Sequence, residues 1–168
     1  IDLASRGFDI RSVEKTVQLY HQLSGRAGRE GKPSKVYFQT INKKNNVISQ
    51  IINPDPYIFL ENELELRKKF KLPPFERFVS IIISCKDASI SEKIAYNLVT
   101  LLKKKTDGNI LGPVNAPIYK IRGKYRNRIL IRSSKNINIQ RQILNTLKNF
   151  KLPPQIKLSV DVDPINFN

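Results

Sequence analysis

Gln22, Arg26 and Arg29 stand at i, i+4 and i+7 within the run Gln22-Leu23-Ser24-Gly25-Arg26-Ala27-Gly28-Arg29. If the helix continues through this run, one amide and two guanidiniums point in one direction. Gly25 and Gly28 lie between them and let another surface come close to the backbone. Two arginines delivered together suit a polyphosphate. Each guanidinium fork grips oxygens bidentately, and in phosphoryl transfer such an arginine stabilises charge that develops on the γ-phosphate. The plainer alternative is a solvated basic helix end with glycine caps. Two glycines at about 1 kcal/mol each count against it.

A second group of cations surrounds Gly123. Lys120, Arg122, Lys124, Arg126 and Arg128 lie on two short extended runs, with Tyr119 and Tyr125 interleaved. Alternate residues of a strand share a face, so Lys120 pairs with Arg122 and Arg126 with Arg128. Cations for phosphates and rings for unpaired bases make a sequence-independent DNA surface. An edge ribbon that carries charge against aggregation is the competing explanation. The remaining titratable groups are poor in chemistry. His21 stands alone, which suits a structural or motif-adjacent place. Cys85 ends an apolar run and suits a buried small hydrophobe. Asp161 and Asp163 lack the further carboxylates that a metal site needs, so no metal site is expected.

The composition agrees with an anionic partner. Among 168 residues, 30 Lys+Arg oppose 14 Asp+Glu, a net charge of +16. From Lys93 to Val160 there are fifteen bases and one acid, Asp107, so this window alone carries +14. Lysine-rich usage could inflate any solvated surface, but five of the fifteen are arginines and they cluster. Nucleic acid is the leading partner, and an acidic protein tail comes second. No apolar run approaches the ~18–20 residues of a membrane span, so no membrane partner is expected. One cysteine excludes a disulfide scaffold.

The elements that must hold these residues are legible in part. Ser12 to about Arg26 reads as a helix, and Val36 to Ile41 as a short strand. Asn46 to Ile52 and Tyr57 to Phe70 read as helices, the second broken by Leu72-Pro73-Pro74-Phe75. Beyond the break the pattern is strand (Phe78–Cys85), helix, two strands (Ile110–Gly112 with Ile118–Arg122, then Tyr125–Arg132), helix (Ile139–Phe150) and strand (Ile156–Val162). Ser89 and Glu92 form a capping box, Ile90, Ile94, Leu98 and Leu101 line one face of the first helix, and Gly123-Lys124 makes the hairpin turn. The predicted fold class is α+β, with a ferredoxin-like βαββαβ unit on residues 73–168. Phe-Lys-Leu-Pro-Pro occurs at 70–74 and 150–154, where shared helix-stop chemistry explains it.

The first run resembles the last motif of superfamily-two helicases, Q-x-x-G-R-x-G-R. Its flanks resemble the PriA family of replication-restart helicases: Gln18-Leu19, Gly31-Lys32-Pro33 and Val36-Tyr37-Phe38-Gln39-Thr40. So do Glu63-Leu64 with Arg67, Leu72-Pro73-Pro74-Phe75, Gly112-Pro113 with Ala116-Pro117, Gly123-Lys124-Tyr125-Arg126 and Asp161-Val162-Asp163-Pro164. The resemblance implies that residues 1–42 are the end of an incomplete α/β RecA-like lobe, 43–72 a helical connector and 73–168 a basic carboxyl-terminal domain. It implies a C-terminal fragment of an ATP-dependent 3′-to-5′ DNA helicase that acts at stalled forks and assembles the primosome in the bacterial cytoplasm, in association with the nucleoid.

By that resemblance Gln22, Gly25, Arg26 and Arg29 face ATP. Arg26 and Arg29 would serve catalysis, on a nucleotide bound with Mg²⁺ mainly by another lobe. No G-x-x-x-x-G-K-[ST] loop occurs in these residues, and the family's zinc cysteines have no counterpart. The implied partners are forked and single-stranded DNA, other primosome proteins and the acidic tail of single-stranded-DNA-binding protein, the last through Lys135, Gln140 and Arg141. The alternative class is a stand-alone RNA- or ribosome-type binding domain without a motor. Such a binder has no use for Gln22, Arg26 and Arg29.

Overall fold

The structure, a computed structural model, describes residues 11–27, 35–41, 46–52 and 55–165. The chain divides after Glu65 into two compact units.

The first unit holds α1 (Ser12–Ala27), α2 (Asn46–Ile52) and the start of α3 (Pro56–Lys69). On α1 a stripe of Val13, Val17 and Tyr20 turns inward and meets Ile51, Phe59, Phe38 and Val47. The Tyr20 and Phe38 rings meet edge to face, with centroids 5.3 Å apart. Asp55 starts α3 by accepting a hydrogen bond from the Tyr57 amide at 2.9 Å, and Pro56 occupies the first helical position, where its missing N–H costs nothing. The strand expected at Val36–Ile41 does not form. Residues 35–40 carry no ladder to any described residue, and a strand is defined by such a ladder.

The end of α3 belongs to the second unit. Lys71 takes a left-handed conformation (φ 54°), and the amides of Lys71 and Leu72 bond back to the carbonyls of Lys68 and Arg67 at 3.2 and 2.8 Å. This is a Schellman stop with lysine at the position glycine usually holds.

Beyond this stop the second unit is α+β, built on one four-stranded antiparallel sheet. Its elements are β1 (Glu76–Cys85), α4 (Ala88–Lys105), β2 (Asn109–Ile121), β3 (Lys124–Ser134), α5 (Ile139–Lys148) and β4 (Lys157–Val162), with strand order β2-β3-β1-β4. Odd-numbered residues of β1 and β3 (Val79, Ile81, Ile83, Cys85, Ile129, Ile131) face the helices and are at most 1% exposed. From α4 come Ala95, Leu98, Val99 and Leu102, and from α5 come Ile139 and Ile143, all into the same core. Leu98 sits at the buried centre of α4, as the helical spacing predicts. The deepest row runs Ser91, Ala95, Leu98, Leu102, however, because small Ser91 and Ala95 bring the helix closest to the sheet.

Three local expectations are corrected. The α4 cap is Asp87 rather than Ser89: its carboxylate accepts from the Ile90 amide at 3.0 Å and from the Ser89 hydroxyl at 2.8 Å. The two short extended runs before Gly123 are one strand, β2, irregular between Leu111 and Val114 and between Asn115 and Lys120. The hairpin turn is Arg122-Gly123, closed by the pair Ile121↔Lys124, with both turn residues at positive φ (47° and 74°). That double positive φ is the type I′ geometry whose twist matches the flanking strands.

Candidate functional site

Two places collect the residues singled out by the sequence. The first is the end of α1. Gln22, Gly25 and Arg26 are all exposed there; Gln22 and Arg26 lie on the side away from the buried Val17 stripe, while Gly25 borders the cleft beside His21 and Ser24. Arg29 and Gly28 fall outside the described residues. Arg26 makes no ion pair or hydrogen bond with a described residue, so its forked donors remain available to an external phosphate. Among the described residues a Cβ on Gly25 would meet nothing within 4 Å, so packing against them does not demand glycine there. The described residues thus offer one forked donor, Arg26, and one amide, Gln22, on an exposed helix end. Among the described residues no cluster of three or more His, Cys, Asp or Glu could hold a metal ion.

Behind this helix face lies a cleft of about 1030 Å³ between α1, the segment 36–40 and α2. His21 lines it with its Nε2 buried and without a hydrogen-bond partner among the described residues. Ser24 instead spends its hydroxyl on the helix itself, donating to the carbonyls of Tyr20 and His21 at 3.1 and 3.0 Å.

The second place is the sheet. Direct cross-strand partners share a face. The register Ile82↔Arg128, Ser84↔Arg126 and Ile121↔Lys124 therefore puts Lys124, Arg126 and Arg128 on the face away from the helices. Arg126 is held by a bond from Nη1 to the Ile118 carbonyl at 3.3 Å. Arg128 is half-buried, and that burial lowers its guanidinium pKa from the ordinary value. Lys120 goes to the other side. It pairs with Tyr125, donates to the Tyr125 hydroxyl at 3.2 Å and sits 4.6 Å from that ring's centroid. Tyr119 completes this cluster, its ring centroid 5.3 Å from that of Tyr125. The expected Lys120–Arg122 pair on one strand face is thus absent: Arg122 lies in the turn, and the irregularity before Lys120 resets the alternation. The six candidate DNA contacts are split between two faces and a tip.

The far face adds residues that sequence order hides. A trough of about 520 Å³ runs over β1, lined by Ser80, Ile82 and Ser84 below, by Lys124 and Arg126 of β3 on one side and by Lys157 of β4 on the other. Arg122 reaches it from the turn, and Asp161 is the one acid that lines it. Sequence spacing does not find Lys157, because only the β1–β4 register brings it beside Ser84. Its one sequence signal is alternation with Ser159 and Asp161 in the last strand.

Other cations turn out to be committed to structure. Arg132 pairs with Glu76 at 3.3 Å, donates to the Phe70 and Lys71 carbonyls and covers the Phe78 ring at 5.5 Å. Lys135, Gln140 and Arg141 lie in the turn before α5 and in its first turn: Lys135 is exposed in the turn, Gln140 half-buried and Arg141 exposed on the helix. The cap there is Asn138, which accepts from the Arg141 amide at 3.2 Å. No helix among the described residues is long and apolar enough to cross a membrane.

Comparison with known proteins gives the chain a family. Residues 68–165 match the family of the primosomal protein N C-terminal domain. The replication restart protein PriA of Rickettsia conorii is 38% identical over 166 residues, which cover 99% of this chain and 26% of that protein. The corresponding proteins of Bacillus subtilis and Haemophilus influenzae are 30% and 28% identical over 93% and 98% of this chain. The chain spans about a fifth to a quarter of the length of these curated relatives. It belongs to the PriA family of replication restart proteins and corresponds to their C-terminal part.

Proposed function

We propose that this chain is the DNA-holding and nucleotide-completing end of a 3′-to-5′ replication-restart helicase, active in the cytoplasm at stalled forks. In this proposal residues 1–42 end a RecA-like lobe, 43–72 connect, and 73–168 form a ferredoxin-like domain; the βαββαβ order and the 4-1-3-2 strand arrangement support the last of these. Arg26 and Arg29 reach the phosphates of ATP bound with Mg²⁺ on another lobe, and Gln22 links that event to DNA. Lys135, Gln140 and Arg141 receive an acidic partner tail, such as that of single-stranded-DNA-binding protein, during primosome assembly.

One observation carries the reading: Gln22 and Arg26 stand exposed together on α1, away from the stripe that packs the helix, with the Arg26 guanidinium uncommitted among the described residues. A surface cation that served only solubility would need neither the glutamine nor the spacing. The division of labour is tested with the purified chain. Fluorescence anisotropy should detect binding to forked and single-stranded DNA, and phosphate release from ATP should stay at background when that DNA is added. DNA-stimulated hydrolysis by the chain alone would sink the split nucleotide site. Failure to bind any DNA would sink the DNA-holding role.

A further inference from the structure

The trough on the far face of the sheet has no aromatic ring among its lining residues. Tyr119 and Tyr125, the rings that would stack on bases, stand together with Lys120, and Tyr125 shares its face with buried Cys85 on the helix side. Proteins that hold single strands without sequence preference usually combine a cationic track with aromatic platforms on which successive bases stack. The trough supplies only the track.

We infer that the far face of the sheet is a phosphate track for one DNA strand, which it holds by the sugar–phosphate backbone with the bases turned to solvent. This rests on the DNA-holding reading above and gives it a face and a mode.

The dimensions come from sheet geometry. The rows on β3 and β4 lie two strand spacings apart, about 10 Å, which admits one backbone and excludes a duplex from the floor. Lys124 and Arg126 are two residues apart on β3, about 6.8 Å, so successive phosphates of an extended strand can meet successive cations. Hydroxyls of Ser80, Ser84 and Ser159 line the same trough and can donate to phosphate oxygens. The track is also polar along its length. Arg122, Lys124, Arg126 and Lys157 collect at the hairpin end, beside Ser84, while Asp161 sits beside Ser80 towards the other end. A strand engages the hairpin half first.

The test compares a labelled oligothymidylate with a base-free deoxyribose-phosphate strand of the same length, bound to the whole chain across a salt series. The two should bind within about threefold of each other, since only phosphates are read. Arg126→Ala with Lys157→Ala should weaken both ligands at least tenfold and lower the log–log salt slope by about 1.4, at about 0.7 per phosphate contact on a single strand. Ser84→Glu places an acid on the floor between the two cations, where it competes with phosphate for them, and should weaken both ligands in the same way. Lys103→Ala removes an exposed charge from α4 and should leave the slope unchanged. Circular dichroism melts confirm that each variant folds. A base-free strand that binds more than tenfold worse overturns the mode. An unchanged slope in the folded double variant overturns the face. Wild-type chain that binds neither strand overturns the DNA-holding reading itself.

Discussion

Arg126 and Lys157 flank the same residue: both pair directly with Ser84, Arg126 from β3 and Lys157 from β4. The two cations therefore rise on either side of β1 from the same face of the sheet, held apart by one intervening strand. Nothing local to either segment dictates this. The antiparallel registers of two separate strand pairs do, and a slip of one residue in either pair would send one cation to the core side.

Asp161 shares that face through its pairing with Ser80. It is the trough's one acid, so it opposes any phosphate laid along the floor. Asp161→Asn should tighten single-stranded DNA binding about fivefold at low salt, the equivalent of about 1 kcal/mol for an exposed charge, and the gain should shrink as salt rises. Anisotropy titrations at two salt concentrations check this. A loss of affinity would mean that the carboxylate positions a neighbouring cation rather than opposing the ligand.

Arg122 stands in a left-handed conformation (φ 47°) at the first turn position, beside Gly123 at 74°. Such a conformation costs a branched-chain or long side chain about 1–2 kcal/mol, and Asn is the residue that tolerates it. Arg122→Asn should therefore raise stability by about 1 kcal/mol. The same change removes a trough cation and should weaken DNA binding. Thermal melts and anisotropy on one variant would show the two properties moving in opposite directions, which is the signature of an arginine kept for its charge. A variant that loses stability as well would show that the guanidinium supports the turn.

The order of elements in the second unit is legible in the sequence because each one satisfies its own periodicity. Val79, Ile81 and Ile83 alternate, and Ile139, Ile143 and Leu147 trace a helical stripe; local pattern and tertiary burial agree there. The faces of the hairpin are not legible. Between Asn115 and Lys120 the β2 strand slips against β3, so parity counted along β2 fails at the residues that matter, and Lys120 changes sides. The strand expected at Val36–Ile41 fails for another reason: β-branched and aromatic residues supply propensity, but pairing decides, and among the described residues none forms a ladder with this segment. At the end of α1, spacing alone puts Gln22 and Arg26 together, because a helix fixes its own geometry without a neighbour. Lys157 needs two registers and cannot be found from spacing.

Acid should probe the α4 cap. The Ile90 amide, and then the Ser89 hydroxyl, donate to the Asp87 carboxylate and hold its pKa below the ordinary 3.8. A group depressed in the folded state lends stability that is fully present above its unfolded pKa and drains away as pH falls through the folded one. The wild-type chain should therefore lose this increment only below about pH 4. Asp87→Asn keeps a capping acceptor but has no proton to gain. Near neutral pH it should melt close to wild type, and its acid-side decline should be shallower. Melts recorded over a pH series check this, and parallel acid limbs for the two proteins would remove Asp87 from the account.

The last prediction concerns the polar patch inside the core. Ser91 is fully buried, and its hydroxyl donates at 2.7 Å to Oδ1 of Asn127, itself 4% exposed; the Asn127 amide then donates to Asn115 at 3.4 Å. These contacts bind α4 to β3 and β3 to the irregular stretch of β2. Ser91→Ala removes one donor and leaves a buried acceptor unsatisfied, which costs about 1–3 kcal/mol. Ser91→Ala with Asn127→Val removes the buried pair together and should recover part of that loss, because Asn115, which then loses its donor, is exposed and can turn to water. If the double variant is recovered in stability but its β2 amides exchange faster with solvent, the patch fixes register more than it adds stability. Urea melts and amide exchange on the three proteins separate these effects. Equal stability of Ser91→Ala and wild type would mean that another donor replaces the serine.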